Sequence, residues 1–235
     1  MMKGNRCLYG RLSAFFTSNE ALREHIVLMV VYSILFIVSL PGKSYFFYIS
    51  QELVPVSFTA TVIGGLIISL LFSLRKGLSA ADHEVMYGVG IWLKQEEMKL
   101  HHLWIGAVIP AFLHALFLVT LLIPFIVIAG SLSGINLETI GVVVPEFFLI
   151  MLFFRSTALF VSVVTGGRLF LTTLIMGFLI LMLFLATLVF CRILNPLIIL
   201  LSARDGWETA AVYGFIGIIL FICLRLPLKK WMVRS

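Results

Sequence analysis

Residues 104–130 read WIGAVIPAFLHALFLVTLLIPFIVIAG, twenty-seven positions without one Asp, Glu, Lys or Arg. As a helix this run would be roughly 40 Å long, more than the ~30 Å hydrocarbon core of a bilayer. It is therefore expected to cross a membrane, with Trp104 at the interface. Pro110 and Pro124 fit that reading, because neighbouring helices can satisfy the carbonyls that proline leaves free.

The whole chain has the same character. Of its 235 residues 61% are apolar and 12% charged, and the mean hydropathy is +1.14. A soluble domain typically carries about 25% charged residues as its coat. With that coat missing, most of the surface is expected to face lipid. The net charge of +6 would suggest nucleic acid in a soluble protein. Here it is a matter of which loops carry it, and no nucleic-acid partner is expected. Cys7, Cys191 and Cys223 have no paired or metal-binding spacing and read as packed or interfacial thiols.

Working outward from residues 104–130, six spans are expected, at about 26–41, 53–74, 104–130, 139–165, 169–190 and 209–224. The fold class is thus all-α integral membrane, one six-span domain over 26–235 behind a segment 1–25. Phe15, Phe16 and the run Thr17-Ser18-Asn19-Glu20 in that segment could start a short interfacial helix. The first span is short. A cleaved leader is its rival reading, but the charged lead is long and no A-x-A site follows.

Basic loops stay cytoplasmic. Thirteen Lys/Arg fall in the N-terminal segment, the stretch 75–102, the turn at Arg168 and the C-terminal tail; the other side holds Lys43, Arg192 and Arg204. Both ends and the 75–102 stretch are therefore expected on the cytoplasmic side.

The chain offers no G-x-x-x-x-G-K-S/T phosphate cradle, no H-E-x-x-H, no G-x-S-x-G and no paired carboxylates in a span. It is not expected to be an enzyme, nor to hold a metal or cofactor itself. Glu97 and His101 share a helix face, yet a metal site would need further ligands from other spans, so a solvated surface helix is the plainer reading. Within 75–102, Val85, Val89, Trp92, Met98 and Leu103 can form an apolar stripe opposite Lys94, Glu96, Glu97 and Lys99. Such an amphipathic helix between spans two and three either grips a partner or lies on the headgroups.

Three polar residues fall inside spans: His114, Glu146 and Arg155. A guanidinium at a span centre costs about 2.5–3.5 kcal/mol on insertion scales. Glu146, nine positions away, lies on the opposite helix face, so no direct pair is expected. Arg155 then faces a partner subunit or snorkels towards the cytoplasmic headgroups, and its role, structural or functional, stays open.

In this layout the chain resembles the permease subunits of ABC-2 family transporters over residues 56–232. The second span runs into a cytoplasmic segment bearing Glu84, and the third closes on Leu122-Ile123-Pro124 before Gly130. Gly166-Gly167-Arg168 separates spans four and five, Asn195-Pro196-Leu197 precedes the last span, and a basic tail ends the chain. The segment after span two departs from the family in lacking a proline-bearing turn and a Glu-Arg pair. The resemblance implies an exporter of the inner (cytoplasmic) membrane, in which this permease pairs with a second copy or a paralogue. It also implies that ATP and Mg are bound by a separate cytoplasmic nucleotide-binding subunit, which the 75–102 segment would contact. The coupling candidates are Glu84, Trp92, Lys94, Glu96, Glu97 and Lys99. The competing expectation is a non-transporting membrane anchor or assembly factor that recruits a partner through the same helix.

Overall fold

A computed structural model describes residues 19–40, 56–80, 100–166, 168–190, 195–196, 200 and 207–234. The regular elements described are α-helices: α1 (Asn19–Ser39), α2 (Val56–Ala80), α3 (Leu100–Leu132), α4 (Leu137–Val164), α5 (Leu169–Phe190), α6 (Trp207–Cys223) and α7 (Arg225–Arg234). Five stretches are long and apolar enough to cross a membrane: Leu22–Ser39, Leu100–Leu132, Leu137–Val164, Phe170–Thr187 and Trp207–Lys230. A shorter apolar stretch, Ser57–Ser73, lies within α2. The chain is a multi-pass helical membrane protein. Helices suit its apolar runs because a helix satisfies its own backbone groups where no water can.

The boundaries refine the sequence reading. The first span is not a short run from residue 26. α1 starts at Asn19 and continues unbroken for 21 residues, roughly 32 Å, so no separate interfacial helix begins between Asn19 and His25. It stops at Ser39, one residue short of the position before Pro41, where helical geometry is disfavoured. At the other end of the bundle α2 runs on through Arg75 and Lys76 to Ala80, and α3 already starts at Leu100. Between them, residues 81–99 of the expected 75–102 segment lie outside the described residues.

Two tight turns join neighbouring helices. After α3, Gly134 takes φ 70°, the Ile135 N–H bonds back to the Gly130 carbonyl at 2.9 Å, and Asn136 caps α4 by accepting from the Thr139 N–H at 2.9 Å. After α4, Gly166 takes φ 67°, a conformation that costs glycine little. The α6–α7 break at Leu224 follows from Pro227, whose ring clashes with the carbonyl four residues earlier, that of Cys223.

α4 is the hub of the bundle, packing against α2, α3, α5, α6 and α7. Small residues let the helices close in, since in lipid association relies on close van der Waals packing. A Cβ at Gly217 of α6 would lie 3.1 Å from the Phe153 Cα, and one at Gly214 would lie 2.5 Å from a Leu149 methyl. On α2, Gly65 receives Leu122 of α3 and Gly64 receives Leu35 of α1. These pairings, with Gly130 against Phe58 and Ile140, fix directions: α2 runs antiparallel to α1 and α3, and α4 runs antiparallel to α3 but parallel to α6. The outer faces of α1 and α5 expose Val38, Ile37, Phe170 and Leu174, apolar surface suited to lipid.

Candidate functional site

The functional question concerns the few polar groups inside this apolar bundle. Along α2, Ser57, Thr61, Gly65, Ser69 and Ser73 recur every fourth residue, and all are buried. Residues four apart share one helix face, so they form a single small, hydroxyl-rich stripe. Its upper part stitches α1 to α2. Ser57 Oγ donates to the Ser39 carbonyl at 2.8 Å, Thr61 and Ser39 hydroxyls meet at 3.4 Å, and Ser69 shares a hydrogen bond with the Tyr32 hydroxyl.

The lower end of the stripe meets Arg155. This side chain is only 3% exposed, and its Nη1 donates to the Ser73 carbonyl at 3.3 Å. It is buried within this chain and spends a donor on α2. The reason is geometric. α2 and α4 run in the same direction, so the last buried turn of α2 lies level with the middle of α4.

The helix register extends this relationship. Gly65–Leu122 and Phe58–Gly130 between α2 and α3, continued along the axes, set Ser73 level with residues 114–115 of α3. Between α3 and α4, Gly130 packs on Ile140 and the Phe112 ring lies 5.6 Å from that of Phe148. Ser73, His114 (5% exposed) and Arg155 are three buried polar residues from three helices, with Ser73 level with His114 and bonded to Arg155. The four-residue stripe of α2 is readable in the order of residues, whereas the meeting of Arg155 with Ser73 is not.

Glu146 stands apart. It is 0% exposed, and neither carboxyl oxygen has a hydrogen-bond partner among the described residues. The expected absence of a Glu146–Arg155 pair holds: nine residues separate them by roughly 13 Å along α4.

At the end of the bundle where α3 begins and α6 stops, Trp104 Nε1 donates to the Phe221 carbonyl at 2.7 Å. The Arg225 guanidinium lies 4.5 Å from the Trp104 ring centroid, a cation–π contact. Trp104 therefore pins the start of α3 to the α6–α7 junction. The coupling candidates Glu84, Trp92, Lys94, Glu96, Glu97 and Lys99 lie outside the described residues, as do most residues of their apolar stripe. Leu103, its last member, is buried in α3 against Phe221, Leu224 and Leu228, so it belongs to the bundle and not to a surface helix. His101 and His102 are also α3 residues, their rings 3.9 Å apart. Among the described residues no group of three or more His, Cys, Asp or Glu gathers as a metal-ligand set.

No protein-family model, no curated protein and no solved structure matches this chain. The class defined by fold and site is a multi-pass helical membrane protein with polar residues buried in its bundle.

Proposed function

We propose that this chain is the membrane-spanning permease subunit of an ATP-driven exporter in the cytoplasmic membrane. Its six spans would be α1 to α6, with both chain ends in the cytoplasm. The motor would be a separate nucleotide-binding subunit carrying ATP and Mg, and the bundle would pair with a second copy or a paralogue.

The observation carrying this reading is where the 81–99 connection leaves the bundle. Ala80 and Leu100 lie at the end that also bears the α4–α5 turn and the basic helix α7. Among the described residues Arg168, Arg225, Lys229 and Lys230 lie at that end, as cytoplasmic loops require. The connection carries the sequence's amphipathic stripe, and both of its stems are braced: α2 through the Arg155–Ser73 bond, α3 through Trp104. A push on 81–99 would thus reach α4, the hub helix, and a coupling element needs such differential contacts between two states.

The test is co-purification of the full chain with a nucleotide-binding ATPase, such as one encoded beside it, followed by Glu96→Lys and Glu97→Lys. The expected result is a stable complex whose substrate-stimulated ATP hydrolysis is lost in the variants while membrane insertion is unchanged. A chain that binds no ATPase, or a complex whose hydrolysis ignores both changes, overturns the assignment. Recruitment of a partner without transport would favour the anchor reading.

A further inference from the structure

Glu146 has no place in the coupling scheme above, and its surroundings are unusual. Among the described carboxylates, Glu138 and Glu208 are exposed and Glu24 is half-buried, whereas Glu146 is sealed within the bundle on the hub helix. Both its oxygens are buried, with no donor or cation within hydrogen-bond distance among the described residues.

The helices packed on α4 supply nothing to balance a charge there. The described side chains of α2 and α5 include no titratable group. On α3 the buried one is His114, on the helix whose Phe112 ring packs 5.6 Å from that of Phe148, and neither Glu146 oxygen takes a hydrogen bond from it. α6 offers the exposed Glu208 at its start and buried Tyr213, about one turn past the level of Glu146 as set by the Leu149–Gly214 contact. The charges of α7 lie at the opposite end, as do His101 and His102 of α3. On α4 itself the remaining charges are Glu138 and Arg155.

Three occupants could satisfy a buried carboxyl. A hard metal ion requires several oxygen ligands at about 2.0–2.6 Å, and among the described residues Glu146 belongs to no group of three or more potential ligands. A hydrated or organic cation requires an opening, and the side chain has none. A proton requires only the carboxylate. An uncompensated charge in an apolar bundle costs several kcal/mol or more, so a packed α4 and an ionised Glu146 exclude each other.

We propose that Glu146 is a proton-binding site inside the bundle, holding a proton while α4 is packed and releasing it when the surrounding helices part. Release breaks the carboxyl O–H bond and hands the proton to entering water. Uptake reverses this step as the helices close. The adjoining turn of α4 is built to open: Pro145 brings no N–H to the Gly141 carbonyl, and Gly141 adds no side chain, with nothing within 4 Å of where a Cβ would stand. Such a carboxyl ties proton exchange to helix packing whichever partner drives the motion, so the inference does not rest on the transport reading.

The test uses the full chain in phospholipid vesicles and two carbodiimides, which add the O–H of a protonated carboxyl across a C=N bond. Dicyclohexylcarbodiimide partitions into the bilayer, whereas a water-soluble carbodiimide with a charged amine stays outside. Peptide mass spectrometry is expected to find Glu146 modified by the apolar reagent alone. Glu138 and Glu208, exposed at the helix ends, serve as controls for the water-soluble reagent. Glu146→Gln is expected to lose the adduct while the controls keep theirs. No apolar adduct on Glu146 overturns the proposal, as does equal reaction with the water-soluble reagent. Protection by sodium ions at constant pH overturns it too, because the occupant would then be a metal cation. The decisive readings come from the unsubstituted chain, so they stand even if the variant folds poorly.

Discussion

The Arg155 guanidinium, buried in the middle of α4, donates across the bundle to the Ser73 carbonyl of α2 at 3.3 Å. It joins the hub helix to the last buried turn of the helix that feeds the 81–99 connection.

Arg155→Ala removes that donor and leaves a gap among buried neighbours, so a loss of about 1–3 kcal/mol is expected. Arg155→Met keeps most of the volume without a charge to desolvate, and is expected to recover much of the loss. Thermal unfolding of the detergent-solubilised chain would read both, and an Ala variant as stable as the parent would remove the bond from any structural role.

Gly217 and Gly177 make a matched pair of tests. A Cβ at Gly217 would press on the Phe153 and Leu152 backbone, whereas one at Gly177 of α5 meets nothing within 4 Å. Gly217→Leu should cost about 1–3 kcal/mol or more, because backbone cannot step aside as a side chain can. Gly177→Ala should be neutral or gain up to about 1 kcal/mol from helix propensity. Comparable effects at the two sites would mean that α6 does not pack on α4 through its glycine face.

The Tyr32–Ser69 bond is the single hydroxyl pair that ties α1 to the middle of the α2 stripe. A double-mutant cycle with Tyr32→Phe and Ser69→Ala should give a coupling of about 0.6 kcal/mol, and no more than about 1.7 kcal/mol. A coupling of zero would indicate that this hydroxyl pair does not help to hold α1 on α2.

Topology has its own measurement. Single cysteines at Ser44, Ser79, Ser133 and Ser202, in a cysteine-free background, are to be probed with a membrane-impermeant maleimide on intact cells. Labelling is expected at 44, 133 and 202, and at 79 only after the membrane is permeabilised. Labelling at 79 on intact cells would reverse the orientation; labelling at 133 only after permeabilisation would break the six-span count.

Much of the architecture was legible in the order of residues. Residues 104–130 and 139–165 forecast α3 and α4 to within four residues at each end, because a long, predominantly apolar run has one stable form in lipid. The turns at Gly134 and Gly166 were legible for a similar reason, since a positive φ suits glycine. Less legible were the ends where polarity and helix disagree. Asn19 to His25, Arg75 to Ala80 and Leu100 to Leu103 are helical beyond the apolar runs, since backbone bonding continues past the point where the side chains turn polar.

What sequence alone determined, then, is the solvent, the helices and the asymmetry of charge, all of which are local or additive along the chain. The neighbours of each buried polar residue were decided only when the helices packed. Arg155 finds Ser73 eighty-two positions away because α2 and α4 run parallel at a fixed register. His114 comes level with Ser73 through the α2–α3 contacts, and Glu146 has no hydrogen-bond partner among the described residues. Register between helices depends on which small residues meet which large ones, as Gly65 meets Leu122 and Gly217 meets Phe153. That matching is a property of pairs of helices, and no single stretch of sequence contains it.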